Sequence, residues 1–235
     1  NEKFELARFF FLRGIGFIYF FVFYPLCFQY EPLLGENGLL PVSDYLQYFQ
    51  GSFGQKMWYR PTFFWFESSD QFAFLLIYLG LFLSFLVMVG FANGFILMVL
   101  WLLQLSFMHV GQTFWGFGWE SNLLEVGFLA IFLCPFFNWK PFQVTYPAPK
   151  VVVVLYWWVL FRLILGAGLI KIRNADCWTD FSCLNYHFET QPIPNPLSPF
   201  LHFMPNFFLQ LGVIANHFIE LVVPWLLFLP SFTKK

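Results

Sequence analysis

RLILGAGLIKIRNADCWTDFSCLNYHFETQPIPNPLSPFLH, from Arg162 to His202, is the stretch on which the fold turns. It begins inside an apolar run, passes Arg162, Lys171 and Arg173, and then becomes a long polar segment. That segment holds Cys177 and Cys183, the aromatic-polar run Tyr186 to Gln191, and Pro192, Pro194, Pro196 and Pro199. Proline fixes φ and restricts the residue before it, so 191–199 is expected as a stiff, extended loop rather than a long helix or inner strand. An apolar run that stops at such a loop reads as a membrane helix delivering a fixed surface to one face of a bilayer.

The rest of the chain fits that frame. Of 235 residues, 59% are hydrophobic and 11% charged, against roughly 25% charged in a soluble domain. In water, the 38 Phe and 10 Trp would leave large sticky patches. A net charge of −1 without a basic run gives no support to a nucleic-acid partner. No signal peptide is evident. The first residue is Asn1, so an N-terminal part is expected to be processed away or to lie outside this chain.

A spanning helix needs about 20 apolar residues. Spans are expected near 9–28, 72–90, 94–110, 121–137, 151–170 and 213–230, giving an all-α polytopic bundle of about six helices. Two longer excursions, 29–71 and 171–212, share one face. In the first, Ser43 is expected to cap a short amphipathic helix, and PTFFWF (61–66) to dip into the headgroup layer. With the N-terminus cytosolic, the inner segments carry Lys3, Arg8, Arg13, Lys140, Lys150, Lys234 and Lys235. The outer ones carry Lys56, Arg60, Lys171 and Arg173. That asymmetry sets both excursions on the exterior or lumenal side.

Charges inside spans are costly unless paired or wet. Arg162 is expected about 12 Å below the outer end of its span, with Glu220 about 10 Å deep and Glu125 similar. His217 and Asn216 share the face of Glu220. Glu125, Arg162, His217 and Glu220 therefore form a candidate intramembrane polar network. It is either a structural set of ion pairs or the floor of a ligand or catalytic pocket. Lys171, just past GAGL, is either a lysine reaching to the interface or a desolvated base. Gly166 and Gly168 let another helix approach there.

Cys177 and Cys183 close the loop CWTDFSC. In an oxidising compartment a structural disulfide is expected; a redox-active pair, free thiols or zinc with His187 are the alternatives. No fourth zinc ligand is evident, so no metal is expected. Cys27 and Cys134 sit in apolar runs and read as inert thiols. His187, Glu189 and Thr190 would make a catalytic cluster on paper, but no GxSxG nucleophile accompanies them. Nucleotide-binding patterns are absent and no cofactor is expected.

Several tracts resemble the lipase maturation factors. They are GLIKIR (168–173), CWTDFSC (177–183), YHFETQPIPNPLSPFLH (186–202) and NHFIELVVP (216–224), with LRGIGFIYF (12–20), GENGLLPV (35–42), FGWESNLLEVGFLAIFLCP (117–135) and FRLILGAG (161–168). The tracts run in order over nearly the whole chain, and the cysteine loop and GAGLIKIR look more like the type-1 than the type-2 branch. The resemblance implies an endoplasmic-reticulum membrane protein with a cytosolic N-terminus. It would assist folding, dimer assembly and export of secreted dimeric lipases of the lipoprotein lipase kind. Lumenal redox or chaperone partners and membrane lipid are the other partners implied. The family continues into a large lumenal C-terminal domain that this chain does not contain.

Under that expectation, Trp178, Tyr186, His187, Phe188, Glu189 and Gln191 are candidates to face a client, as an aromatic, rigid surface holding apolar parts of an unfinished lipase. A fainter similarity links GLIK followed by NADCW to the vitamin K-dependent carboxylases, whose basic lysine would fall on Lys171. The Asn-His pair of those enzymes is replaced here by Glu120-Ser121-Asn122. A membrane-embedded carboxylase-like enzyme and a structural subunit of a membrane assembly are the two alternative functions.

Overall fold

A computed structural model describes residues 5–139, 147–174, 176–193 and 195–229. The basic segment around Lys140, the tail with Lys234 and Lys235, and Pro194 lie outside the described residues. Every regular element described is helical, as alternating apolar runs and polar turns predict. The chain divides into two compact units, one through Val153 and one from Val154.

In the first unit α1 is Glu5–Leu34, longer at both ends than the apolar run alone implies. It carries Pro25 and Pro32 internally, and stops at Gly35, whose N–H donates to the carbonyls of Tyr30 and Glu31. A Cβ at Gly35 would sit 2.6 Å from the Glu31 carbonyl oxygen, so the stop needs glycine. Next come the short helices α2 (Val42–Gln47) and α3 (Phe53–Tyr59). Ser43 does not cap α2: Pro41 takes the cap position, and no side chain satisfies it. The capping box forms instead at α3, where Ser52 accepts from Gln55 N–H and Gln55 reaches back to Ser52.

Three helices then follow: α4 (Asp70–Met88), α5 (Gly94–Val110) and α6 (Gly118–Ile131). Ser69 and Asn93 cap the first two by accepting from Phe72 and Ile96 N–H. α1 and α4 pack antiparallel and close, because α4 offers Ala73, Leu76, Ile77, Gly80, Ser84 and Val87 at helical spacing. The Phe23 ring lies directly over Gly80, and Val87 over Gly16. α5 pairs with α6 through Trp101, whose indole N–H donates to the Leu124 carbonyl at 2.8 Å.

PTFFWF is fastened to α5. Thr62 donates to the Ser106 carbonyl, and the Phe63 N–H donates to the Ser106 hydroxyl. These bonds pull the turn Phe63–Trp65 onto α5. Phe64 is buried there against Phe107, Tyr30 and Phe72.

The second unit begins within α7 (Lys150–Asn174). The polar stretch read as a loop is largely helical: α8 (Asp176–Thr179), α9 (Cys183–Thr190) and α10 (Ser198–His202) precede α11 (Asn206–His217). The prolines leave only a short non-helical connection, fastened by buried Ser198. Its hydroxyl accepts from Gln191 and from the Asn195 N–H.

α11 continues as a π turn, Phe218–Val222, and then a 3-10 turn, Val223–Phe228. Pro224 is the cause we assign: it has no N–H for the carbonyl four residues back, at Glu220, so the regular ladder breaks there. Four described helices are long and apolar enough to cross a membrane: Leu6–Leu34, Asp70–Met88, Lys150–Arg173 and Asn206–Phe228. α5 is a shorter apolar helix, and α6 is shorter still.

Candidate functional site

Within the second unit, α7 and the helical stretch 206–228 run antiparallel. Their contact grades from aromatic to polar. At one end Phe161 meets Trp225 and Phe228, with ring centroids 5.0 and 4.9 Å apart. Further along, Gly168 lies under Leu221 and Glu220; a Cβ there would come within 2.7 Å of the leucine side chain. Gly166 faces open space, so of the two glycines only Gly168 carries the close approach.

One turn past Gly168 comes the polar end. Lys171 Nζ donates to Glu220 Oε1 at 2.5 Å and to Asn216 Oδ1 at 2.9 Å. Asn216 in turn donates to Glu220. The inward stripe of α11 explains the meeting: Leu209 and Val213 are buried, and Asn216 and Glu220 follow at the same spacing. The π turn falls on the carboxylate-bearing residue itself, and such turns recur at functional sites.

The cysteine loop covers this end. Cys177 and Cys183 are joined by a disulfide. Inside the loop Asp180 Oδ1 accepts from both the N–H and the hydroxyl of Ser182. Those two bonds hold the Asp180 carboxyl below the usual carboxylate range. Phe181 takes φ +63°, a conformation that non-glycine residues adopt at a cost and that clusters at functional places. Between the cysteines, Trp178 faces inward. Its ring lies 4.8 Å from Lys171 Nζ, and its carbonyl accepts from His217 Nε2 at 2.8 Å. His217 therefore carries its proton on Nε2. His217 Nδ1 and Glu220 Oε2 are buried without a hydrogen-bond partner among the described residues.

This arrangement joins three distant pieces of sequence into a cap: the end of α7, the disulfide loop, and the α11 segment at its π turn. As chemistry it is a saturated cation site. The Lys171 ammonium has two oxygen acceptors and an aromatic face, whereas a general base needs a free lone pair. Among the described residues no group of His, Cys, Asp and Glu side chains could hold a metal ion.

The residues singled out from sequence are distributed as follows. Glu220 and His217 belong to the cap, and Lys171 supplies a charge bonded to Glu220. Arg162 stands nine residues earlier on α7, about 13 Å along the axis, and Glu125 lies on α6 of the first unit. Tyr186, His187 and Glu189 are exposed. Trp178, Phe188 and Gln191 are half-buried, and the first and last of these are occupied by bonds within the unit. The His187–Glu189–Thr190 cluster is not assembled. Thr190 donates to the Tyr186 carbonyl, and Glu189 pairs with His202 at 2.9 Å. Sequence reading missed the Glu189–His202 contact and the Trp178 carbonyl. Residues thirteen and thirty-nine positions apart leave no periodic signal.

The class of protein defined here is a helical, multi-pass membrane domain whose C-terminal unit carries a disulfide-bound polar cap. Residues 6–235 match the family described as "Lipase maturation factor transmembrane domain". The chain is 43% identical to lipase maturation factor 1 of Mus musculus over 96% of its length and 41% of that relative's. It is 41% identical to lipase maturation factor 1 of Homo sapiens over 96% of this chain and 41% of the relative. Lipase maturation factor 2 of Xenopus laevis is 37% identical over 96% of this chain and 33% of the relative. The chain belongs to the lipase maturation factor family. It spans about two-fifths of the length of these type-1 relatives. No solved structure matches it.

Proposed function

We propose that this chain is the membrane part of an endoplasmic-reticulum factor that assists folding, dimer assembly and export of secreted lipases of the lipoprotein lipase kind. The observation that carries this is the family match over residues 6–235, with relatives named as maturation factors. The finer reading has a cytosolic N-terminus and about six spans, α5 and α6 included. It places the second unit's cap and α9 in the lumen, where a disulfide persists.

On this reading the exposed edge of α9, with Tyr186, His187 and Glu189, contacts the client. The cap behind it keeps α9 in place: Leu184 of α9 seats against Gly212 of α11, and Cys183 is buried and tied to Cys177. Lys171, occupied by Glu220 and Asn216, has a holding role, which weighs against the carboxylase-like alternative.

The test is rescue of secreted lipase activity in cells lacking the factor, by full-length protein carrying Tyr186→Ala, His187→Ala and Glu189→Ala together. These side chains are exposed, so membrane levels should stay normal while rescue falls to a minor fraction. Full rescue would remove α9 from the client surface.

A further inference from the structure

The cap leaves unexplained a second cluster, in the first unit. α1 and α4 are both long enough to cross a membrane, so the excursion between them, 35–69, emerges at one membrane face. On it α3 carries Lys56, and Arg60 follows as the residue that ends the helix. Lys56 Nζ lies 5.2 Å from the Trp65 ring centroid, and Arg60 Cζ lies 5.5 Å from that of Phe49. Phe49 and Trp65 themselves meet edge to face at 6.1 Å.

Two sets of hydrogen bonds fix the group. The Trp65 indole N–H donates to the Arg60 carbonyl at 2.8 Å, and Thr62 and Phe63 are bonded to Ser106 of α5.

Two basic side chains are thus held beside one aromatic pair. Among the described residues neither makes an ion pair, and no side-chain N–H of either donates to a protein acceptor. Ammonium and guanidinium together offer eight such donors. The aromatic faces hold both cations half-buried without using those donors. Around them Tyr48, Trp58 and Tyr59 are among the most exposed aromatic residues, at 82%, 84% and 76%. Exposed Trp and Tyr beside Lys and Arg at a membrane face are the usual furniture of the headgroup layer.

We propose that Lys56 and Arg60 bind the phosphate of an anionic phospholipid, with Trp58 and Tyr59 embedded beside its glycerol and upper acyl region. A phosphate fits because its several oxygens can accept from two or three donors at once, as a single carboxylate does less well. The lipid is favoured over free phosphate because the cations and the exposed aromatic rings occur on the same short excursion between two spans.

Native mass spectrometry of the full-length protein in detergent tests this, with phosphatidylglycerol and phosphatidylcholine offered in equal amounts. Wild type should retain phosphatidylglycerol preferentially. The Lys56→Gln/Arg60→Gln variant should lose that retention by about thirtyfold, the effect of two cations on an anionic lipid. The Lys56→Arg/Arg60→Lys variant, which conserves charge, should keep most of it. If the double glutamine variant unfolds, as read by its melting temperature, Lys56→Gln alone should lose about fivefold. Equal retention by wild type and the glutamine variants would overturn the proposal. Displacement of the lipid by millimolar inorganic phosphate would overturn the assignment to lipid.

Discussion

In the first unit α1 buries Tyr19, Phe23, Leu26 and Tyr30, and α5 buries Leu97, Leu100, Leu103 and Phe107. Aromatic rings there meet over a continuous core. In the second unit the long helices bury little. The cap holds them by a lysine–carboxylate pair, a histidine–carbonyl bond, one glycine contact and one disulfide. Burial of apolar area spreads stability over many residues, so single losses are shared. A cap of a few directed bonds concentrates it, so each loss is felt at once. Changes in the second unit should therefore act sharply and in coupled groups, and those in the first more mildly and additively.

The largest expected effect comes from Lys171 and Glu220. Glu220→Leu leaves the ammonium without its carboxylate, and Lys171→Met leaves the carboxylate without its cation. Breaking a buried pair one-sidedly costs roughly 3–5 kcal/mol. Here Lys171 keeps 25% and Glu220 14% of its side-chain surface exposed, so about 2–3 kcal/mol is expected for each. The double variant should recover most of that loss, since two apolar residues of similar length can replace a pair. Melting temperatures in detergent give the cycle, and strictly additive losses would show that the pair does not hold the cap. Secreted lipase activity adds the functional arm: a stable double variant without rescue would return Lys171 to chemistry.

Next in size are Cys177→Ser and Cys183→Ser. Each removes the same short cross-link, worth about 2 kcal/mol by loop entropy, and the two should behave alike. Both also free Trp178 from Lys171 and His217, so combining either with Glu220→Leu should cost less than the sum. Limited proteolysis around residues 176–190 would follow the loosening. Unequal losses would mean that one thiol has a role beyond the bridge.

How legible was this in the sequence? The all-helical membrane class followed from composition and apolar runs, because burial in lipid demands both. Lys171, Cys177, Cys183, His217 and Glu220 stood out because polar residues beside spans are rare. The Cys177–Cys183 bridge was expected and forms; the cation that meets Glu220 was not legible, because it depends on how far the two helices slide past each other. The helices α8 to α10 were hidden for another reason. Proline limits the residues around it, yet it tolerates short helices before the run and sits well in a first turn, as Pro199 does in α10. The basic pair of the first unit escaped because the turn carrying Trp65 is seated on α5 through Ser106, 44 and 43 positions from Thr62 and Phe63, a contact without periodicity.

Glycine substitutions probe the comparison at smaller scale. Gly80→Ala sets a Cβ 2.7 Å from the Phe23 ring, and should cost about 1–2 kcal/mol by overpacking. Gly166→Ala meets nothing within 4 Å and should gain a few tenths to about 1 kcal/mol from helix propensity. Gly168→Ala, two residues on, should instead weaken the cap, because the Leu221 side chain must move. Equal melting temperatures for the Gly166 and Gly168 variants would show that the close approach at Gly168 is dispensable.

The smallest effect should come from Asp180, fully exposed in the disulfide loop. Its carboxylate accepts two hydrogen bonds from Ser182, and its proton affinity is lowered from the ordinary aspartate value of 3.8 for that reason. A group whose folded pKa is depressed stabilises the fold above its unfolded pKa, and that contribution disappears as pH falls through the folded pKa. The loop should therefore behave uniformly from neutral pH down to the ordinary carboxylate range, and loosen only below it. Amide exchange at Ser182, corrected for its intrinsic pH dependence, reports this directly, because its N–H is one of the two donors. Asp180→Asn should raise exchange slightly at neutral pH and abolish the acid-dependent step, while leaving the Lys171–Glu220 cycle unchanged. An acid step of the same size in Asp180→Asn would assign it to another group in the cap.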